Sequence, residues 1–278
     1  MKVIFAKTNG FCAGARKAIE LAEENPNAVV IGCGIIRNPA EMARLEKSFG
    51  ITVQSDYKEI KPNQTAIISA HGISPLIKNE LLDKGIKLID TTCLVVKKVQ
   101  EKIFELSKSK HHIILLGDKY HPEVKGQLGF ASDNISVVKD VNEFKKILSE
   151  IMHKEKIAVL SQTTKDKNDL FEMSKILSEN NIKHDVFDTI CPSVEARKDE
   201  VIEIAKQVDC VIVLGGKKSN NTKLLAQTSE KYCPTYHIED FKELSMVELK
   251  RMKSCGLISG ASTPDYLVAA VKQQIEAL

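Results

Sequence analysis

Apolar residues in this chain collect in short runs at positions 28–31, 65–68, 113–116, 157–160 and 210–214, each closely followed by Gly or Ser. Runs of that length, bounded by turn-forming residues, read as buried strands. Stretches with helical spacing of apolar positions follow most of them, as at 194–207 and 264–278. Strands alternating with helices through short connections predict a mostly parallel α/β architecture. No linker or low-complexity segment interrupts the alternation.

Within this pattern one motif set occurs three times. The first element is a polar turn ending in cysteine: Thr8-Asn9-Gly10-Phe11-Cys12, Asp90-Thr91-Thr92-Cys93 and Asp188-Thr189-Ile190-Cys191. The second is a strand ending in glycine with a polar residue shortly after it: Gly32 to Arg37, Gly117 to His121 and Gly215 to Ser219. The third is a strand entering a small polar turn, at Ser69-Ala70-His71, Ser161-Gln162-Thr163 and Ser259-Gly260-Ala261-Ser262. Separations from first to second element are 25, 28 and 28 residues, and from second to third 34, 42 and 43. Such spacing predicts three similar α/β units, 1–92, 93–190 and 191–278, each carrying one of Cys12, Cys93 and Cys191. Ligands of open parallel sheets bind beyond the carboxyl ends of the strands, where all nine elements lie. Three units with that edge turned inward form a pseudo-threefold arrangement around one central site.

Charge and composition narrow the function. With 40 Lys plus Arg against 37 Asp plus Glu in 278 residues, the net charge of +3 does not suit nucleic acid as the main partner. No apolar run approaches the roughly 20 residues of a membrane span. The start, Lys2-Val3-Ile4-Phe5, is strand-like and unlike a leader, so a cytoplasmic location is expected. Seven scattered cysteines, an odd count, argue against a disulfide framework and for thiol or metal chemistry. Gly32-Cys33-Gly34 lacks the third glycine of a dinucleotide fingerprint.

Each repeated cysteine stands where a helix is expected to begin, and Pro192 suits a first helical position. Exposed N–H groups at a helix start favour thiolate, the form that ligates metal. Zinc recruits cysteines in tight pairs, whereas these lie 81 and 98 residues apart. A four-iron cluster suits them better: three thiolates hold three irons, and the fourth iron, without a protein ligand, is open to substrate. Cys33, Cys210, Cys233 and Cys255 lack the repeated context and are assigned to packing. The other elements contribute His71, His121, Thr163, Ser219, Asn221 and Ser262, with Arg37, Asn220 and Glu123 beside them. Donors on Ser/Gly turns suit a phosphate or diphosphate, and Glu123 is the obvious source of protons.

These motifs resemble one family, the 4-hydroxy-3-methylbut-2-enyl diphosphate reductases or LytB proteins. The matching stretches include Gly10-Phe11-Cys12-Ala13-Gly14, Ser69-Ala70-His71-Gly72-Ile73-Ser74-Pro75, Thr92-Cys93, His121-Pro122-Glu123-Val124-Lys125-Gly126, Gln162-Thr163-Thr164, Asp188-Thr189-Ile190-Cys191 and Gly260-Ala261-Ser262. They run in family order along nearly the whole chain. The resemblance implies a trefoil-like fold around a [4Fe–4S] cluster on Cys12, Cys93 and Cys191. It implies reductive removal of an allylic hydroxyl, giving isopentenyl and dimethylallyl diphosphates in the last step of the non-mevalonate pathway. His71, His121, Ser219, Asn221 and Ser262 then match diphosphate contacts, and Thr163 and Glu123 match residues around the substrate hydroxyl. Ferredoxin or flavodoxin is the expected electron donor.

The chain departs from the family pattern at several places. Arg37-Asn38 replaces a His-Asn pair, Glu41-Met42 replaces two valines, Asn220 a serine, Val194 a threonine and Leu94 a proline. Arg37 is permanently charged and forks onto phosphate oxygens, so anion binding is retained, but it cannot carry protons. Two alternatives remain at this stage: a paralogue with the same cluster and another anionic substrate, and a non-catalytic sensor of oxygen or iron. Glu123 opposes the sensor, which has no use for a proton donor.

Overall fold

A computed structural model of the chain describes residues 1–245, 249 and 251–277. It contains three four-stranded sheets, parallel throughout. The first comprises β2 (Val29–Ile31), β3 (Thr52–Gln54), β4 (Thr65–Ile68) and β5 (Lys87–Asp90), in the order β3-β2-β4-β5. The second is β7-β6-β8-β9, built from β6 (His112–Leu116), β7 (Ile135–Val138), β8 (Ile157–Ser161) and β9 (His184–Val186). The third is β1-β12-β10-β11, from β1 (Lys2–Phe5), β10 (Cys210–Leu214), β11 (Thr235–Ile238) and β12 (Ser254–Ser259).

The apolar runs are continuous because both sheet faces are covered. In β10, Cys210, Ile212 and Leu214 enter one buried cluster, and Val211 and Val213 enter another on the opposite face. The same division separates Ile114 and Leu116 from Ile113 and Leu115 in β6. Order within each sheet reverses between the strand ending in glycine and the strand entering the polar turn: β2 beside β4, β6 beside β8, β10 beside β12. Such a reversal opens a crevice at the carboxyl ends of the two strands.

The helices between strands are α1 (Ala13–Glu23), α2 (Pro39–Phe49), α3 (Pro75–Asp83), α4 (Leu94–Lys108), α5 (Pro122–Leu128), α6 (Val141–Ile151), α7 (Lys167–Glu179), α8 (Pro192–Ala205), α9 (Asn220–Ser229) and α10 (Asp265–Glu276). None among the described residues is long and apolar enough to cross a membrane. Strand β1, in the segment 1–92, pairs with β12 of the segment 191–278, with Lys2 opposite Ser254 and Phe5 opposite Leu257. The chain divides into two compact units: unit 1 holds residues 1–17, 36–48 and 192–278, and unit 2 holds 18–35 and 49–191.

Candidate active site

Each repeated cysteine is anchored in the same way. Its backbone N–H donates to a carbonyl in the polar turn after the neighbouring strand: Cys93 to Ala70 at 3.1 Å, Cys191 to Thr163 at 2.9 Å and Cys12 to Ala261 at 3.0 Å. Helices α1, α4 and α8 begin at the next residue. The Sγ of Cys12 accepts from the Ala15 N–H at 3.4 Å, using one of the donors that a helix start leaves unpaired. All three thiols are half-buried and outside any disulfide. Cys210 and Cys255 contrast with them: both are buried, and burial pushes their thiols up to about 12 and about 11. Cys33, expected in packing, is exposed because it lies in a turn between Gly32 (φ 92°) and Gly34 (φ 105°).

In unit 2 the turns after β4, β6 and β8 bring together His71, His121, Glu123 and Thr163. The rings of His71 and His121 meet edge to face with centroids 5.4 Å apart. His71 Nδ1 shares a hydrogen bond with Ser69 Oγ at 3.2 Å. His121 is the N-cap of α5, and its Nδ1 accepts from the Glu123 N–H at 3.2 Å. That bond leaves the proton of the neutral ring on Nε2. Close approach of α5 to the His71 turn depends on glycine: a Cβ on Gly126 would lie 3.2 Å from the Gly72 carbonyl oxygen.

Glu123 is 2 % exposed, and its carboxyl accepts three hydrogen bonds. The Thr163 N–H reaches Oε1 at 2.8 Å, the Thr163 hydroxyl reaches Oε2 at 3.0 Å, and the Gln127 amide reaches Oε1 at 3.1 Å. Burial raises the Glu123 pKa above the ordinary carboxylate value, with the bonds from Thr163 and Gln127 opposing it. Thr163 therefore binds Glu123 through its N–H and hydroxyl while its carbonyl anchors Cys191. Gln127 is not among the residues singled out from the sequence, and Ser69 enters there only as part of the repeated turn. Gln127 is four residues from Glu123, a spacing that shares a helix face and was legible in principle.

In unit 1 the turns after β10 and β12 lock together. The Gly260 N–H and Thr263 hydroxyl both donate to the Leu214 carbonyl, at 2.9 and 3.1 Å. A Cβ on Gly260 would lie 2.1 Å from Thr222 Oγ1, so α9 approaches the turn after β12 this closely only with glycine there. Ser219 is the N-cap of α9, and Asn220 and Asn221 are its first residues. Asn221 is 4 % exposed, yet its Oδ1 and Nδ2 have no hydrogen-bond partner, and neither does the buried Oγ of Ser262. Buried polar atoms without partners cost about 1–3 kcal/mol each, so these three atoms are open to bonds from a polar group. Arg37 donates from Nη1 to the Lys218 carbonyl at 3.1 Å, immediately before Ser219. Asn38, rather than Arg37, occupies the helix-capping position equivalent to His121 and Ser219: its Oδ1 accepts from the Glu41 N–H at 3.0 Å, and Pro39 follows.

The chemistry of each thiol taken singly suits an iron–sulfur ligand. Three thiols stand at helix starts with their backbones held by turn carbonyls, and none is consumed in a disulfide. Among the described residues no three His, Cys, Asp or Glu side chains are grouped to hold a single metal ion. Thiolates of an iron–sulfur cluster bind different irons and have no need of such close grouping.

The family model described as LytB protein matches residues 3–276. A 4-hydroxy-3-methylbut-2-enyl diphosphate reductase of Helicobacter pylori (strain Shi470) is 38 % identical over 279 residues, spanning 100 % of both chains. The reductase of Nautilia profundicola is 38 % identical over 98 % of both. Among solved structures, the E-1-hydroxy-2-methyl-but-2-enyl-4-diphosphate reductase from Plasmodium falciparum matches with a TM-score of 0.91 at 29 % identity, over 98 % of this chain and 87 % of that one. An (E)-4-hydroxy-3-methyl-but-2-enyl diphosphate reductase, described as the terminal enzyme of the non-mevalonate pathway, matches with a TM-score of 0.73 at 34 % identity over 100 % of both chains.

Proposed function

The chain belongs to the LytB protein family, and from that premise we propose that it reduces (E)-4-hydroxy-3-methylbut-2-enyl diphosphate to isopentenyl and dimethylallyl diphosphates. The observation that carries this reading is Thr163, whose N–H and hydroxyl hold the Glu123 carboxyl and whose carbonyl holds Cys191. A buried proton donor is thereby tied to the backbone of a thiol at a helix start. Reductive dehydroxylation needs that combination, since breaking the C–O bond consumes two electrons and two protons and releases water.

Cys12, Cys93 and Cys191 would supply the thiolates for a [4Fe–4S] cluster with one iron free of protein ligands. Bound there, the cluster would supply the electrons and a Lewis acid for the allylic hydroxyl. Glu123 keeps its proton to higher pH than an ordinary carboxyl and gives it to the departing oxygen. Thr163 orients Glu123 and offers its hydroxyl to the same oxygen. The diphosphate is bound by His71, His121, Ser219, Asn220, Asn221 and Ser262, with Arg37 adding charge. Anchoring the anionic end restricts the carbon skeleton to a reactive pose, so much of the rate comes from positioning. Electrons arrive from ferredoxin or flavodoxin in the cytoplasm.

The test is anaerobic reconstitution with iron and sulfide, followed by turnover of the hydroxymethylbutenyl diphosphate with a strong chemical reductant. Formation of both prenyl diphosphates is the expected result. A fully loaded protein that gives neither product refutes the assignment and favours another anionic substrate.

A further inference from the structure

The turn that leads to Cys12 is held by two side chains that the proposed chemistry does not use. Both project from α8, three residues apart and so on one face. Arg197 is a 97 % buried cation, 3 % exposed, whose guanidinium fork donates to the Gly10 carbonyl from Nη2 and to the Ser259 carbonyl from Nη1, each at 2.8 Å. The same two residues are joined directly, with the Gly10 N–H donating to Ser259 Oγ at 2.8 Å. Glu200 accepts from the Lys7 N–H at 2.6 Å, the Thr8 N–H at 3.0 Å and the Thr8 hydroxyl at 2.5 Å. Gly10 lies two residues before Cys12, and Ser259 three before Ser262.

We propose that Arg197 and Glu200 are positioning residues: together they fix the turn presenting Cys12, and Arg197 alone also fixes the turn presenting Ser262. The proposal rests on the roles given above to Cys12 and Ser262. A planar fork with five donors can bridge two carbonyls rigidly, which a neutral amide cannot do over the same span. A carboxylate likewise has an oxygen for each backbone N–H, whereas glutamine would aim its own NH2 at one of them. The two residues therefore differ in reach, and their substitutions should separate.

The experiment compares full-length Arg197→Gln, Glu200→Gln and a control, Phe144→Leu, which loosens the core beside β6 and β8. Amide hydrogen exchange of the apo protein is measured first. Exchange in residues 7–12 should rise about tenfold in both α8 variants, and in 259–263 only in Arg197→Gln. On the reconstituted protein, both variants should change the electron paramagnetic resonance spectrum of the reduced cluster and release iron to a chelator faster. Arg197→Gln should also raise KM for the diphosphate about tenfold, while Glu200→Gln leaves KM within twofold. Unchanged exchange in 7–12, or equal KM effects from the two variants, overturns the proposal, as does a spectral change of the same size in Phe144→Leu. Wild-type protein that takes up no cluster refutes the functional reading instead, and the exchange pattern then decides the bracing role by itself.

Discussion

Replacing Glu123 by glutamine separates the carboxyl as a proton donor from the carboxyl as a structural group. The side chain keeps its shape, and the three bonds at its head can be rearranged. The amide oxygen accepts from the Thr163 N–H and from Gln127, as Oε1 does now, and the NH2 donates to the Thr163 hydroxyl oxygen. The net effect on stability at neutral pH is then within about 1 kcal/mol. Removing a general acid costs roughly 10²–10⁴-fold in rate, or about 3–6 kcal/mol in the barrier at ~1.4 kcal/mol per tenfold. The sign of the pH effect follows from the raised pKa. In the unfolded chain this carboxyl ionises near about 4.3, whereas in the folded state it holds its proton to higher pH. The contribution of Glu123 to folding is therefore fully present below the unfolded-state value and is lost as pH rises through the higher folded-state value. Glu123→Gln should abolish this slope. Anaerobic turnover with a chemical reductant, paired with melting curves at a series of pH values rising from about 4.3, measures both quantities. Activity within threefold of wild type would refute the donor role, and a collapse of the melting temperature would show that the carboxyl is structural.

Three further outcomes follow from the geometry. Asn221→Leu removes two unpartnered buried polar atoms, so it should raise the stability of the ligand-free protein by about 1 kcal/mol or more, while raising KM for the diphosphate at least tenfold. Thermal denaturation and steady-state kinetics check the two halves. Gly10→Ala forces a Cβ onto a residue with φ 84° and to 1.8 Å from Asp265 Oδ1; a loss of about 1–2 kcal/mol from the backbone conformation alone should appear in urea unfolding. For Glu200, burial raises the pKa, but bonds from the Thr8 hydroxyl and the Lys7 and Thr8 N–H groups outweigh it, and the net shift is downward. Its contribution is therefore present above about pH 4.3 and is lost as pH falls through the lower folded-state value, so Glu200→Gln should destabilise the protein at pH 7 and converge with wild type in acid.

Much of this molecule was legible along the chain. The apolar runs became β2, β4, β6, β8 and β10, because strands covered on both faces need apolar residues at every position. The three cysteines fell at helix starts, since a polar turn followed by an amphipathic stretch is a local signal. His121, Thr163 and Asn221 are singled out by a repeated spacing with Glu123 beside it, and the fold sets the Glu123 carboxyl against Thr163. Other features were decided only by the tertiary structure. Nothing local shows that β1 completes the sheet of the carboxyl-terminal segment, because the period of a strand records that a face is buried and not which strand lies beside it. Arg197 reads as an ordinary surface charge on a helix until its fork is seen closing on the carbonyls of Gly10 and Ser259. The one-residue difference between Arg37 and Asn38 at the head of α2 also waited on coordinates, since a cap is defined by where a side-chain oxygen meets a backbone N–H. Local chemistry settles which residues can form an element or hold a ligand. Which distant backbone groups they meet depends on packing between segments, and that is a property of the folded chain alone.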